Sequence, residues 1–370
     1  MSVEATAEKA AAPPVVISRK KKALFTLIIF VIFLLALELV LRVAGLPPSL
    51  RTDPGLITVA EDRDSFDDAL GFEYTPLWTG YDTGALVSIN SAGWRGKEFS
   101  RTKPAGTVRI LGVGDSYTFG KAVDNDDIFL VRLERLLNEG GGSRYETINT
   151  GHDGANTYEE LRYFKKHDMM GLAPDVVVIG FTVGNDAELT FWDNRKILRS
   201  KLRDKSVMLD VTESDWFRGL KRNSRIAGIL GAGADWANKD LITKHSFKLK
   251  LKTYDEGGEA WQSCRNSLIG FYEMCRDKKA PLVVILFPDW TRDARQTYAD
   301  YPEEFKAIHE KLKALFAGQS GVAVVDIVDD LKATGLSVRE LSVPIDGHPN
   351  AIWHELVATK LKDTIKGLGL

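Results

Sequence analysis

Serine-based acyl transfer needs a hydroxyl on a sharp turn, a base to take its proton, and donors for the oxyanion that forms. Residues of those types stand in four short blocks of this 370-residue chain. The first is Gly114-Asp115-Ser116-Tyr117-Thr118-Phe119-Gly120, directly after the apolar run Val108-Arg109-Ile110-Leu111-Gly112-Val113. A β-branched run that stops at Gly-Asp-Ser sets a hydroxyl at the carboxyl end of a buried strand, the end where parallel α/β sheets bind ligands. Read as an elbow, Ser116 is a nucleophile. Read as a plain helix start, Asp115 and Ser116 only cap free N–H groups. The block by itself allows both.

The second block is Asn149-Thr150-Gly151-His152-Asp153-Gly154-Ala155-Asn156-Thr157, whose glycines would let the Gly154 N–H approach a ligand with no Cβ in the way. An ordinary glycine-rich βα turn has the same composition. The third, Thr182-Val183-Gly184-Asn185-Asp186, offers the Asn185 amide as an oxyanion donor and Asp186 as a brace for the loop. Turns and helix caps also favour Asn and Asp. The fourth is Ser342-Val343-Pro344-Ile345-Asp346-Gly347-His348-Pro349-Asn350. Here Asp346 could hold the Nδ1 proton of His348 and leave Nε2 as the base; a lone His at a helix start is otherwise a surface residue. His354 reads as structural. His152, His167, His245 and His309 have weaker claims, and only His152 falls near the expected pocket.

The elements that would position these blocks follow from periodicity. Five apolar, β-branched runs occupy 108–113, 146–151, 176–181, 282–287 and 322–327, with helical patterns near 126–139, 157–170, 257–277, 303–316 and 350–366. Continuous apolar strands alternating with amphipathic helices predict a parallel sheet covered on both faces, with a mixed α+β arrangement as the alternative. Between the third and fourth runs, residues 188–256 exceed one crossover. This insertion carries Arg195, Lys196, Arg199, Lys201, Arg203 and Lys205, then Lys244, Lys248, Lys250 and Lys252, together with Trp192, Trp216, Trp236 and the stretch Gly228 to Gly233. It reads either as a solvated helical excursion or as a lid that touches substrate or anionic headgroups.

At the N-terminus, Arg19, Lys20, Lys21 and Lys22 precede an apolar run from Ala23 that continues past Glu38 and Arg42 to Leu46. Some 24 residues of helix span about 36 Å, enough for a bilayer core of ~30 Å. The basic cluster predicts a cytoplasmic N-terminus, and Glu38 and Arg42 can pair at i, i+4. A cleaved signal peptide, with Val43-Ala44-Gly45 as its site, is the alternative; the length of the run favours an uncleaved anchor. The expected divisions are a cytoplasmic tail over 1–22, a transmembrane helix over 23–46, an extracytoplasmic, aromatic-rich prologue over 47–106, and the sheet domain over 107–370. Within the prologue, residues 87–95 predict a short strand and a glycine-containing turn.

A net charge of −2 argues against a nucleic-acid partner. Cys264 and Cys275, eleven residues apart in one helical pattern, would lie roughly 16 Å from one another, too far for a disulfide. They read as buried thiols.

With Ser116 in Gly114-Asp115-Ser116, Gly154, Asn185 in Gly184-Asn185-Asp186, and His348 with Asp346 on successive strand ends, the chain resembles the SGNH (GDSL-type) hydrolase superfamily. The resemblance spans residues 107–190 and 257–368. It implies a flavodoxin-like three-layer α/β/α sandwich with a five-stranded parallel sheet in strand order 2-1-3-4-5, joined here to one N-terminal transmembrane helix and a helical insertion. It also implies Ser116 as nucleophile, His348 as general base, and an oxyanion hole of the Ser116 and Gly154 N–H groups with the Asn185 side chain. No metal or organic cofactor is implied. Many members place the acid three residues before the histidine, where this chain has Ile345. Asp346 must then serve, with Asp289 as a distant substitute. The Asp-x-His spacing is similar to that of membrane-associated proteins of bacterial polysaccharide O-acetylation.

The implied function is an extracytoplasmic serine ester hydrolase that acts on acyl esters, O-acetyl groups on a glycan, through an acyl-serine. An O-acetyltransferase would use the same residues with a sugar hydroxyl in place of water. A non-catalytic glycan-binding component of an export machine would have no need of the set. The implied location is a bacterial cytoplasmic membrane, single-pass, with the catalytic domain outside (periplasmic in a Gram-negative cell).

Overall fold

The computed structural model describes residues 18–46, 51–59, 72–139, 141, 144–188, 211, 214–237, 247–288, 296–344 and 346–370. It divides into two units, Met1–Leu46 and Pro47–Leu370. In the first, Ser18 caps helix α1 (Arg19–Val43) by accepting from the Lys21 N–H at 3.4 Å. None of the side chains of α1 is buried, and Arg42 pairs with Glu38 at 2.8 Å as the spacing predicts. The helix is long and apolar enough to cross a membrane, a test that a signal sequence also meets.

The second unit begins with short antiparallel pieces. Strand β1 (Ile57–Val59) pairs with β2 (Phe72–Tyr74), and β3 (Thr79–Asp82) with β4 (Ala85–Ser88). Thr83 and Gly84 close the second hairpin with φ of 49° and 85°, the two left-handed residues that match strand twist in a two-residue loop. The turn expected after residue 89 is built on Asn90, whose Oδ1 accepts from the N–H groups of Ala92 and Trp94. Leu56, Tyr74, Val87 and Ile89 bury themselves in a small cluster with Phe119. That cluster joins the prologue to the segment after the Gly-Asp-Ser turn.

The main sheet follows in the expected rhythm. Strand β5 (Thr107–Gly114) leads to α2 (Ser116–Phe119) and α3 (Phe129–Asn138), then β6 (Arg144–Asn149), α4 (Thr157–Lys166) and β7 (Val176–Thr182). After β7 come α5 (Asp215–Asn223), α6 (Arg225–Ala237) and α7 (Glu259–Asp277), then β8 (Leu282–Phe287), α8 (Glu303–Leu315), β9 (Val322–Asp326), α9 (Val328–Ala333) and α10 (Ala351–Gly367). All five strands are parallel in the order β6-β5-β7-β8-β9, which is the implied 2-1-3-4-5. Every residue of β7 and β8 is buried, as a sheet covered on both faces requires. Right-handed crossovers send α3 and α4 to opposite faces; α3 packs against α10 and α4 against α7. The second strand leaves its ladder two residues before the sequence suggests, yet the chain keeps bonding beside β5, with Thr150 N–H to Gly112 O and His152 N–H to Gly114 O, both 2.8 Å.

Of the insertion, α5 and α6 are described and pack together, and the Gly228–Gly233 stretch lies inside α6. Trp216 is exposed. Trp192, Arg195, Lys196, Arg199, Lys201, Arg203, Lys205 and Lys244 lie outside the described residues. Cys264 and Cys275 are free and buried on α7; burial pushes both thiols up, Cys275 to about 12.

Candidate active site

The elbow is built around one glycine and one cap. Gly114 has φ of 153°, and a Cβ there would overlap Thr118 Oγ1 and lie 2.9 Å from the Gly180 carbonyl oxygen. Asp115 caps α2 by accepting from the Tyr117 N–H at 2.9 Å, and Gly120, left-handed at φ 83°, ends the helix after one turn. The two readings of the block are therefore compatible. Asp115 is the cap, and Ser116 occupies the first helical position with its hydroxyl directed at His348.

His348 arrives from the loop before α10. Gly347 (φ 90°) turns this loop, and the N–H of Val343 donates to His348 O at 2.7 Å. Asn350 caps α10 and donates from Nδ2 to Glu340 O at 2.7 Å, which fixes the loop's exit. The result is a chain of side chains: Ser116 Oγ lies 3.0 Å from His348 Nε2, and His348 Nδ1 lies 2.5 Å from Asp346 Oδ1. Asp346 also accepts from the His348 backbone N–H at 3.2 Å. The ring of Tyr117 stands edge-on to His348 at 5.8 Å.

Three donors expected of an oxyanion hole sit at neighbouring strand ends. The Ser116 N–H, at the head of α2, and the Gly154 N–H have no acceptor among the described residues. Asn185 donates from Nδ2 to Asp115 Oδ2 at 2.9 Å, which orients the amide and leaves its second N–H unspent. Thr182 Oγ1 donates to the other carboxylate oxygen of Asp115 at 3.1 Å, and Asp186 accepts from the Thr182 N–H at 2.7 Å, so Asp186 does brace this loop.

Electrostatics favour a charged His348–Asp346 pair. Burial opposes charge on both, but Asp346 holds the His348 imidazole above its ordinary value, helped by Asp153 and opposed by Lys121. Conversely, His348 and then Lys121 outweigh burial and hold the Asp346 carboxyl below its ordinary value. Deeper in, burial pushes Asp115 up against the donors it accepts from. Burial pushes Glu160 and Asp186 well up, with the Asp115 charge adding to both and Glu160 to Asp186, which favours neutral carboxyls there.

The structure brings together Ser116, His348, Asp346 and Asn185 by direct hydrogen bonds, with Asp115 as the link between Asn185 and the elbow. Asp289 lies outside the described residues. His354 is structural: it is buried, stacks on Phe129 and accepts from the Phe129 N–H at 3.2 Å. His152 is buried beside the Gly154 loop with Nε2 3.1 Å from Phe72 O, and burial lowers its pKa. Sequence reading gave no role to Lys121, which pairs with Asp153 next to Gly154. A lysine after a helix-ending glycine looks like any surface lysine, so no signal marked it. Among the described residues, no group of three or more His, Cys, Asp or Glu could hold a metal ion.

A hydroxyl bonded to an imidazole that is itself bonded to a carboxylate can attack an ester carbonyl and hand its proton to the ring. Solved structures similar in fold include the lipase/acylhydrolase from Enterococcus faecalis, at 18% identity over 70% of this chain and 96% of that one, with a TM-score of 0.40. A lipolytic protein of the G-D-S-L family from Desulfitobacterium hafniense matches at 11% identity over 69% and 98%, TM-score 0.37. A member of the lipolytic G-D-S-L family from Veillonella parvula matches at 14% over 69% and 97%, TM-score 0.36. No curated protein matches the sequence. The GDSL-like Lipase/Acylhydrolase family matches residues 113–356, from the end of β5 into α10. The chain belongs to that family, and it is an ester hydrolase of the SGNH type.

Proposed function

We propose that Ser116 is the nucleophile of this ester hydrolase, with His348 as general base, Asp346 as its orienting acid, and the Ser116 N–H, Gly154 N–H and Asn185 amide as the oxyanion hole. The observation that carries the reading is the continuous line Ser116 Oγ–His348 Nε2 (3.0 Å) and His348 Nδ1–Asp346 Oδ1 (2.5 Å). In the first step Ser116 Oγ bonds to the ester carbonyl carbon while its proton passes to His348 Nε2. The tetrahedral oxyanion rests on the three donors. Collapse breaks the bond to the leaving alkoxide, which takes the proton back from His348. Water then repeats the sequence on the acyl-serine, giving the carboxylic acid and the free hydroxyl of Ser116.

The substrate we propose is an acyl ester, an O-acetyl group on a glycan, met outside the cytoplasm with α1 as a membrane anchor. Support comes from the Asp346-Gly347-His348 spacing, which resembles that of polysaccharide O-acetylation proteins, and from the basic residues Arg19, Lys20, Lys21 and Lys22 that open α1 ahead of its apolar run. The test is hydrolysis of p-nitrophenyl acetate and of an O-acetylated oligosaccharide by the full chain and by Ser116→Ala. Turnover is expected to fall on the order of 10³-fold or more in the variant, and an unchanged rate would overturn the nucleophile. Mass spectrometry of both products separates free acetate, expected here, from acetate moved onto an acceptor sugar, which would make the protein a transferase.

A further inference from the structure

The nucleophile stands on a helix of one turn, Ser116–Phe119. So short a helix has no stability of its own, since nucleation costs more than its few bonds return. Asp115 secures its N-terminal end. At the other end, Asn149 donates from Nδ2 to Thr118 O at 2.9 Å and to Phe119 O at 3.4 Å. The remaining acceptors there belong to Arg95, a prologue residue only 2% exposed.

Its guanidinium spends all its N–H groups on this region. Nη1 donates to Phe119 O (3.2 Å) and Gly120 O (2.6 Å), Nη2 to Val123 O (2.6 Å) and Leu86 O (3.4 Å), and Nε to Asn125 Oδ1 (2.9 Å). Every acceptor is neutral: four backbone carbonyls and one amide. The guanidinium also lies 4.9 Å from the centre of the Phe119 ring, against which Tyr74 stacks at 4.7 Å. A buried cation without a bonded carboxylate is costly. The carbonyl ends of α2 offset part of that cost, because a positive charge is favoured at a helix C-terminus. Burial lowers the Arg95 pKa only to about 10, so the group stays charged at neutral pH.

We propose that Arg95 is the positioning residue for the nucleophile: it clamps the carbonyl end of α2 and the turn through Asn125, and so keeps Ser116 Oγ in line with His348 Nε2. This inference rests on Ser116 being the nucleophile. Lysine cannot replace arginine here, since a point charge with three donors cannot serve five acceptors spread around a planar fork. Arg95→Lys keeps the charge but loses the geometry. Asn125→Ala removes one of the five acceptors of Arg95, together with a 3.4 Å bond from the Ser88 N–H, and leaves the other four.

The test uses the detergent-solubilised full chain. Active sites are counted by complete labelling with a fluorophosphonate probe, and kcat and KM for p-nitrophenyl acetate are expressed per labelled site. Loss of alignment is expected to lower per-site kcat of Arg95→Lys by about 10- to 100-fold, with KM within about twofold, and that of Asn125→Ala by about threefold. A residue that only holds the fold would lower the number of labelled sites and the melting temperature and leave per-site kcat at the wild-type value. That result in both variants, beside an inert Ser116→Ala, would overturn the assignment of Arg95 alone. Full activity in Ser116→Ala would instead remove the nucleophile reading and this inference with it.

Discussion

At the scale of single residues, the proposed role of His348 as general base makes the balance of charges on it set the expected working pH. Burial disfavours the imidazolium, but Asp346 at 2.5 Å wins, and the histidine titrates above its ordinary value of 6.5. A general base must be neutral to take a proton, so kcat/KM should rise with pH through a pKa above that of an ordinary histidine. Asp346→Asn removes both the charge and the correct tautomer. The ascending limb of its pH–rate profile is expected at lower pH than in the wild type, with kcat down by about 10³–10⁴. A wild-type profile in that variant would show that Asp346 does not orient the base. The same pair is linked to stability. The raised histidine stabilises the fold below 6.5 and the lowered aspartate above 3.8, so their contribution is complete between those values. It is lost as pH rises through the folded pKa of His348 or falls through that of Asp346. Ser116, Asn185 and His348 stood out in the sequence as candidates because each puts a hydrogen-bonding side chain on a turn, the first two at strand ends and His348 before the last helix; the resemblance supplied their roles. Arg95 did not stand out, because four of its five acceptors are backbone carbonyls, and every residue has one.

At the scale of elements, the site depends on how closely the turn after β6 approaches α2. A Cβ on Gly151 would overlap the Phe119 backbone nitrogen and lie 2.7 Å from the Thr118 carbonyl carbon. Backbone cannot swing aside as a side chain can, so Gly151→Ala must push α2 or the 149–154 loop. We expect a loss of about 1–3 kcal/mol, seen as a lower urea midpoint at constant m, together with a fall in kcat. Gly257→Ala, where a Cβ meets open space, is the matched control and should leave both unchanged. Equal midpoints for the two variants would mean that the close approach does not constrain the elbow. The strands were readable because a doubly covered parallel sheet demands β-branched runs, whereas their order came only with the family resemblance. The contact between Gly151 and Phe119 was not readable, because glycine in a βα turn reads the same whether it spares a clash or merely bends the chain.

At the scale of the whole molecule, the two units call for separate tests. Among the described residues, helix α1 buries none of its side chains, and the core clusters contain none before Leu56. The fragment from Pro47 is therefore expected to keep the melting temperature and kcat/KM of the full chain. A fragment that aggregates or melts lower would show that the first unit supports the second. Helix α1 passes the length and hydropathy test for a membrane span, which a signal sequence near the N-terminus also passes. The apolar run from Ala23 to Leu37 is 15 residues and continues to Leu46, whereas signal peptides usually stop their apolar stretch within about 7–15 residues. An uncleaved chain should stay in the membrane pellet through alkaline carbonate extraction and show an intact mass that includes α1. A soluble chain whose mass begins just after Gly45 would replace the anchor with a signal peptide and leave the chemistry of Ser116 as it stands.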